Sequence, residues 1–255
     1  MIRIKTPEEI EKMRKAGEIL ACVLDILEEA AKPGISTKEL DAIAEQVITS
    51  YGAKPSFKGF NGFPASICTS LNDEVVHGIP SEKRILREGD LLKIDVGVEV
   101  DGLHTDSART LIVGGEVVND KVLRLINTTR EALEMGIKVA REGARIGDIG
   151  YTIQKFVEER GFSVVKALTG HGIGRQLWED PPVPNYGRKG KGIALVKGMT
   201  LAIEPMVNMG GEEVFTASDG WTIKTSDGSL SAHFEHTIAI TDGEPLVLTR
   251  RWEKN

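Results

Sequence analysis

The chain has 255 residues, 40% of them hydrophobic and 27% charged, with a formal net charge of −6. A chain of this size buries roughly 70–75% of the surface its unfolded form exposes, so one large domain or two small ones are open. The acidic balance argues against a nucleic-acid backbone as partner, no apolar stretch reaches the length of a membrane span, and charges interrupt the N-terminal apolar runs, which excludes a signal peptide.

In chain order, Thr6 as N-cap, Pro7 at the first helical position and Glu9 three residues on predict a helix. Ile10, Met13, Gly17, Leu20, Leu24, Leu27 and Ala31 recur on one face of it, and Lys32-Pro33-Gly34 ends it. Ser36 with Glu39 repeats the capping box and opens a second helix to about Tyr51, closed by Gly52. Strands are expected at about 65–70, 91–100 and 103–113, with Asp101-Gly102 as a hairpin turn between the last two. A long helix over about 120–141 places Val122, Ile126, Leu133 and Ile137 on one side. Further strands are expected at about 162–168, 199–208, 221–225, 231–241 and 245–249, and the Pro/Gly-rich run 181–192 reads as a surface flap. Cys22 and Cys68 are not spaced as a metal pair, and a cytoplasmic protein is the default expectation.

Two of these segments are near copies. Gly89-Asp-Leu-Leu-Lys-Ile-Asp95 and Gly198-Met-Thr-Leu-Ala-Ile-Glu204 match at Gly, Leu, Ile and the closing acid, each pair differing by 109 positions. Gly34 and Gly52 fall on Gly143 and Gly161 at the same offset, and Leu40, Val47 and Ile48 on Ile149, Phe156 and Val157. Each half then reads helix, glycine turn, helix, glycine, strands. The expectation is one α+β domain spanning 1–255, duplicated as halves of about 1–115 and 116–255, with helices outside a shared central sheet.

An acid closing an apolar strand is costly to bury without a cation or donor beside it. A hairpin centred between residues 100 and 101 sets Asp95 opposite Asp106, with Cβ atoms roughly 5 Å apart. Two bare carboxylates so placed repel, and a divalent cation between them removes the repulsion; a shared proton, or a salt bridge to Arg109, is the alternative. Glu204 occupies the position of Asp95, and Glu235 in Ser231-Ala-His-Phe-Glu-His236 is the counterpart of Asp106. Four acids and a neutral imidazole match the charge of two divalent ions, and such a site would hold a bridging hydroxide. His171, flanked by Gly170 and Gly172, is the fifth candidate ligand. A phosphate loop is the rival reading there, but no helix pattern follows it. His77 is a candidate acid, base or substrate contact, or a surface histidine of its loop. His104 and His233 each lie two residues before an acid and are expected to orient a carboxylate rather than to ligate. His236 should face away from the site.

Asn72-Asp-Glu-Val-Val-His77-Gly-Ile-Pro80, Ile94-Asp95-Val-Gly97, Asp106-Ser-Ala108, Gly170-His171-Gly-Ile-Gly174, Ile203-Glu204-Pro-Met206 and Phe234-Glu235-His236-Thr237 resemble the signatures of type I methionine aminopeptidases over essentially the whole chain. The resemblance implies the pita-bread α+β fold, a pseudo-two-fold duplication around a curved, mainly antiparallel sheet. It implies removal of the initiator methionine from nascent proteins when the next residue is small, by a hydroxide bridging two divalent ions (Mn, Fe, Co or Zn). Asp95 would hold one ion, Asp106 and Glu235 both, and His171 and Glu204 the other. Glu204 would also relay the proton to the leaving amine, and His77 would contact the scissile amide. Phe57, Phe60, Phe63, Cys68, Leu177 and Trp221 would wall the methionine pocket. The implied partners are N-terminal peptides and, transiently, the ribosome, with neither nucleic acid nor membrane, for a monomer.

One position departs from the pattern. Leu177-Trp178-Glu179-Asp180-Pro181 carries Trp178 where the family has a second histidine, expected to serve a developing oxyanion. The rival readings are an Xaa-Pro aminopeptidase or prolidase, which share the five ligands but carry an N-terminal domain of their own, and a metal-binding, non-catalytic peptide binder.

Overall fold

Both capping boxes form. Thr6 Oγ1 accepts from the Glu9 N–H, and the Glu9 carboxylate accepts from the Thr6 N–H at 2.9 Å. Ser36 and Glu39 do the same. The computed structural model describes residues 2–115 and 119–251. Its first half runs α1 (Pro7–Ala30), α2 (Thr37–Ser50), β1 (Lys54–Pro55), β2 (Ile67–Leu71), β3 (Glu74–Val76), β4 (Leu91–Val100) and β5 (Leu103–Ile112). The second runs α3 (Asp120–Val139), α4 (Ile146–Glu158), β6 (Ser163–Val164), β7 (Thr169–Gly172), β8 (Glu179–Pro184), β9 (Thr200–Ile203), β10 (Met206–Asn208), β11 (Val214–Thr216), β12 (Ile223–Thr225), β13 (Ser231–His233), β14 (His236–Ala239) and β15 (Leu246–Val247). No helix among the described residues is long and apolar enough to cross a membrane.

The repeat is physical. Ser36 forms an isolated bridge with Ile85, and Arg145 forms one with Ala194. The Gly34 N–H donates to Leu86 O and the Gly143 N–H to Leu195 O, at 2.9 Å each. Gly89 and Gly198, which open the duplicated strands, both take a left-handed φ, 80° and 86°, that a side chain would resist. Along β4, Leu92, Ile94, Val96 and Val98 pack with Leu20, Leu24 and Leu40 of α1 and α2. Leu201, Ile203 and Val207 pack equivalently with Leu133, Ile149 and Ile153 of α3 and α4. Each such fully buried side chain contributes on the order of 1.5–3 kcal/mol. Strand alternation then puts Asp95 and Glu204 on the opposite face, between the halves.

The strands form four antiparallel sheets rather than one shared sheet: β1-β4-β2 with β5 on β4, β15-β14-β9-β7-β8, β13-β10-β6 and β11-β12-β3. Hydroxyls join the halves. Thr237 Oγ1 accepts from the Asp106 N–H and donates to Asp106 O, at 2.9 and 2.8 Å. Thr110 Oγ1 donates to His233 O and accepts from the His233 N–H, at 2.6 and 2.9 Å. Ser107 Oγ donates to Glu235 O at 2.5 Å, and the Glu235 N–H donates to Ala108 O at 3.0 Å.

Three further expectations change. The β4–β5 hairpin pairs Val100 with Leu103, so Asp95 faces Ala108 and Asp106 faces Gly97. Asp101 and Gly102, both at positive φ, form a two-residue loop, which moves the register by two from the one expected. The acids keep a common face as diagonal rather than direct neighbours. The expected strands 199–208 and 231–241 each break in two. Glu204-Pro205 and Phe234-Glu235 occupy the breaks, where the chain passes between ladders, and Pro205 has no N–H to continue one. The start of the presumed 181–192 flap is β8, an edge strand on β7; prolines are tolerated there because the outer side of an edge needs no donor.

Candidate metal centre and its cavity

Asp106 on β5, His171 on β7 and Glu235 at the β13–β14 break offer ligand atoms all within 4.8 Å of one another. His171 Nε2 lies 3.7 Å from Glu204 Oε1 and 4.0 Å from Asp106 Oδ2. Its Nδ1 lies 2.9 Å from Gly172 O, an acceptor only, so Nδ1 carries the hydrogen and Nε2 presents its lone pair to the acids. The glycines beside it permit the crowding: a Cβ on Gly170 would lie 2.3 Å from Ala202 O, and one on Gly172 2.2 Å from Asp180 O. Asp95 joins the group, lining the same cavity as Asp106, His171, Glu204 and Glu235. The five side chains proposed as ligands from the sequence are therefore brought together.

All four acids are buried or nearly so. Burial pushes Asp95 up to about 6 and Glu204 up to about 7. Burial, and then the charges of the neighbouring acids, push Asp106 and Glu235 well above the ordinary range. Without cations the cluster must hold protons. Asp95 Oδ1, Asp106 Oδ1 and Glu235 Oε1 are buried without a hydrogen-bond partner. Orphaned hard oxygens converging with one imidazole are the donor set of a divalent-cation site, and the residues present fit one.

Above the acids lies a cavity of about 530 Å³. Phe57, Phe60, Phe63, Cys68, Leu177 and Trp221 all line it, as do His77 and Trp178. Phe63 and Trp221 meet edge to face at 5.1 Å. His77 directly follows β3 at φ 59°, a left-handed conformation that strains a non-glycine residue, and burial lowers it to about 4, so its ring is neutral. Trp178, 46% exposed, stands edge-on to Phe60 at 4.9 Å, with its ring 6.5 Å from that of His77 and 6.2 Å from that of His171.

The remaining candidates separate. His104 pairs with no carboxylate among the described residues; its Nδ1 lies 2.9 Å from Ser56 Oγ, so it does not orient Asp106. His233 approaches Glu204, not the nearby Glu235, with Nε2 3.6 Å from Oε2. Arg109 pairs with Asp25 at 2.7 Å and Glu28 at 3.3 Å, away from the acids. His236 turns to Thr249 Oγ1 at 2.8 Å. A buried ion pair of Lys5 with Glu179, the residue after Trp178, had no sequence signal, because its members lie 174 positions apart. Met206 also lines the cavity, and its place in the Ile203-Glu204-Pro-Met206 block was the signal for it.

The sequence model of metallopeptidase family M24 matches residues 11–242, and the chain belongs to that family. Within it the likeness is to one branch. The chain is 51% identical over 249 residues to a methionine aminopeptidase of Clostridium acetobutylicum, covering 98% of this chain and 99% of that one. The crystal structure of a methionine aminopeptidase from Thermotoga maritima superposes with a TM-score of 0.95 at 46% identity, covering 98% of this chain and 100% of the other. A prolidase from Pyrococcus furiosus superposes at 0.74 with 25% identity, and only 66% of its chain is covered. The branch is that of the type I methionine aminopeptidases, with the pita-bread fold.

Proposed function

We propose that the protein removes the N-terminal methionine of nascent polypeptides whose next residue is small, and that Asp95, Asp106, His171, Glu204 and Glu235 hold two divalent cations for that hydrolysis. What carries the reading is the convergence of these five side chains, with three orphaned carboxylate oxygens, beneath an aromatic cavity. Four carboxylates balance two divalent ions, and the mixed oxygen and imidazole donors suit Mn²⁺, Fe²⁺, Co²⁺ or Zn²⁺. When bound, such ions supply Lewis-acid activation of water and of the scissile carbonyl.

The side chains do the rest. The aromatic rings receive the methionine thioether, which packs well against ring edges. Asp95, beside the pocket residue Cys68 with which it pairs across β2 and β4, marks the end where the free amine sits, which restricts the enzyme to N-termini. His77, neutral and donating, holds the scissile amide. Glu204, nearly buried and with one carboxylate oxygen 3.7 Å from His171 Nε2, is placed to take a proton from water and pass it to the leaving amine. A soluble cytoplasmic monomer meeting its substrates at the ribosome accords with this role.

The test is turnover by metal-stripped protein given each cation in turn. Met-Ala-Ser is cleaved only with a cation added, and the same peptide acetylated at its N-terminus is not cleaved. Cleavage of Xaa-Pro peptides in preference to Met-Ala-Ser overturns the reading, as does stoichiometric cation binding without any cleavage.

A further inference from the structure

The carboxylate of Glu204 is bracketed by two imidazoles. His171 Nε2 lies 3.7 Å from Oε1, and His233 Nε2 lies 3.6 Å from Oε2. The two rings differ in their surroundings. His171 spends its Nδ1–H on Gly172 O and faces the acids with a lone pair. His233 is 1% exposed, and neither of its ring nitrogens has a hydrogen-bond partner.

The backbone that carries this ring has little freedom to move. The His233 backbone is held on both its N–H and its carbonyl by Thr110 Oγ1, and the residue pairs with Met206 across β13 and β10. A buried imidazole N–H left unpaired costs roughly 1–3 kcal/mol. A shift of a few tenths of an ångström brings Nε2 within hydrogen-bond reach of Glu204 Oε2. Glu204 itself sits in a strand break, where no ladder bonds hold it; its backbone carbonyl accepts from Asn185 Nδ2 at 2.9 Å. Its carboxylate still has a free torsion, which something must fix.

We propose that His233 is a positioning residue: its Nε2–H donates to Glu204 Oε2 and stops the carboxylate from rotating, so that Oε1 stays turned toward His171 and the cation site. The inference rests on the reading of Glu204 as ligand and proton carrier. Partners of metal ligands at this remove are worth about 10–100-fold in metal affinity or activity.

The experiment compares His233→Leu, His233→Gln and His233→Asn with the parent, using Mn²⁺ titrated into metal-free protein by calorimetry, kcat and KM on Met-Ala-Ser, and thermal unfolding. His233→Leu weakens Mn²⁺ binding about 10–100-fold and lowers kcat by a similar factor, with KM within about twofold. His233→Gln, whose amide can place an N–H near the lost Nε2–H, recovers most of both. A leucine variant that binds Mn²⁺ like the parent overturns the proposal, and so does a glutamine variant no better than leucine. Should the leucine variant not fold, the polar pair decides: glutamine ahead of asparagine, which is too short, supports the proposal, and equality overturns it. Glu204→Gln serves as control. If it keeps full Mn²⁺ affinity and turnover, the reading of Glu204 fails and takes the inference with it. If it is inactive while His233→Leu is unaffected, only the inference fails.

Discussion

At position 178 an indole stands where the resemblance to type I methionine aminopeptidases implies an imidazole, over a site whose five candidate ligands are all present. Trp retains one N–H donor, but it is larger than His and cannot take up charge. Here it leans on Phe60 and sits above His77 and His171 at the cavity wall. A missing oxyanion donor costs on the order of 10²–10³ in rate, and a displaced one costs less. Trp178→His is therefore expected to raise kcat on Met-Ala-Ser by on the order of tenfold while leaving Mn²⁺ affinity unchanged. An unchanged rate sinks the idea. Residue identities of this kind were legible because they stand in short blocks of fixed spacing. The partners of His104 and His233 were not, because Ser56 and Glu204 reach them across the fold, and no local pattern encodes that meeting.

Among the elements, helix starts were the most legible, since a capping box is a contact between residues three apart. Strand ends were the least. Glu204 and Glu235 lie in breaks that divide apparently continuous strands, and only the change of ladder on either side reveals them. The segment joining β7 to β8 is a comparable case. The Lys5–Glu179 pair, with side chains 1% and 2% exposed, pins its end to the residues before α1, and Arg175 adds bonds to Glu9 at 2.7 and 2.9 Å. Removing one partner of a buried pair costs up to about 3–5 kcal/mol, less here because Arg3 at 3.7 Å and the Gln176 N–H still face the Glu179 carboxylate, whereas replacing both is milder. Lys5→Met is expected to lower the unfolding midpoint in denaturant accordingly, and Lys5→Met with Glu179→Leu to regain most of the loss. Equal destabilisation by the single and double variants would show that the pair does not act as argued.

For the molecule as a whole, the duplication was legible from one offset repeated in glycines and strand motifs, and the paired bridges at Ser36 and Arg145 are its structural expression. How the halves join was not legible, since the seam uses threonine and serine hydroxyls that look like ordinary strand residues, together with a short pairing of β3 with β12 and the Glu235–Ala108 backbone bond. Because the acids come two from each half, cation binding also acts on folding. The sign follows from the raised carboxyls. In the metal-free protein their favourable contribution is full below the unfolded values near 4 and is lost as pH rises through the folded values, about 6 for Asp95 and about 7 for Glu204. Cations displace those protons, so Mn²⁺ affinity should climb over the same interval. The expected outcome is a gap in Tm between Mn²⁺-loaded and chelator-treated protein that is wider at about pH 7.5 than at about pH 5.5. A gap independent of pH would contradict it.

The reciprocal threonine clamps give this midline a mechanical character. Thr237 grips the backbone of Asp106 itself, and Thr110 grips His233, two residues from Glu235. Shear between the halves is thus resisted next to the very side chains proposed to hold the ions. With cations held there, loosening along the midline and letting go of the ions would be a single event, and the loaded molecule would be spot-welded along the line where its two copies meet.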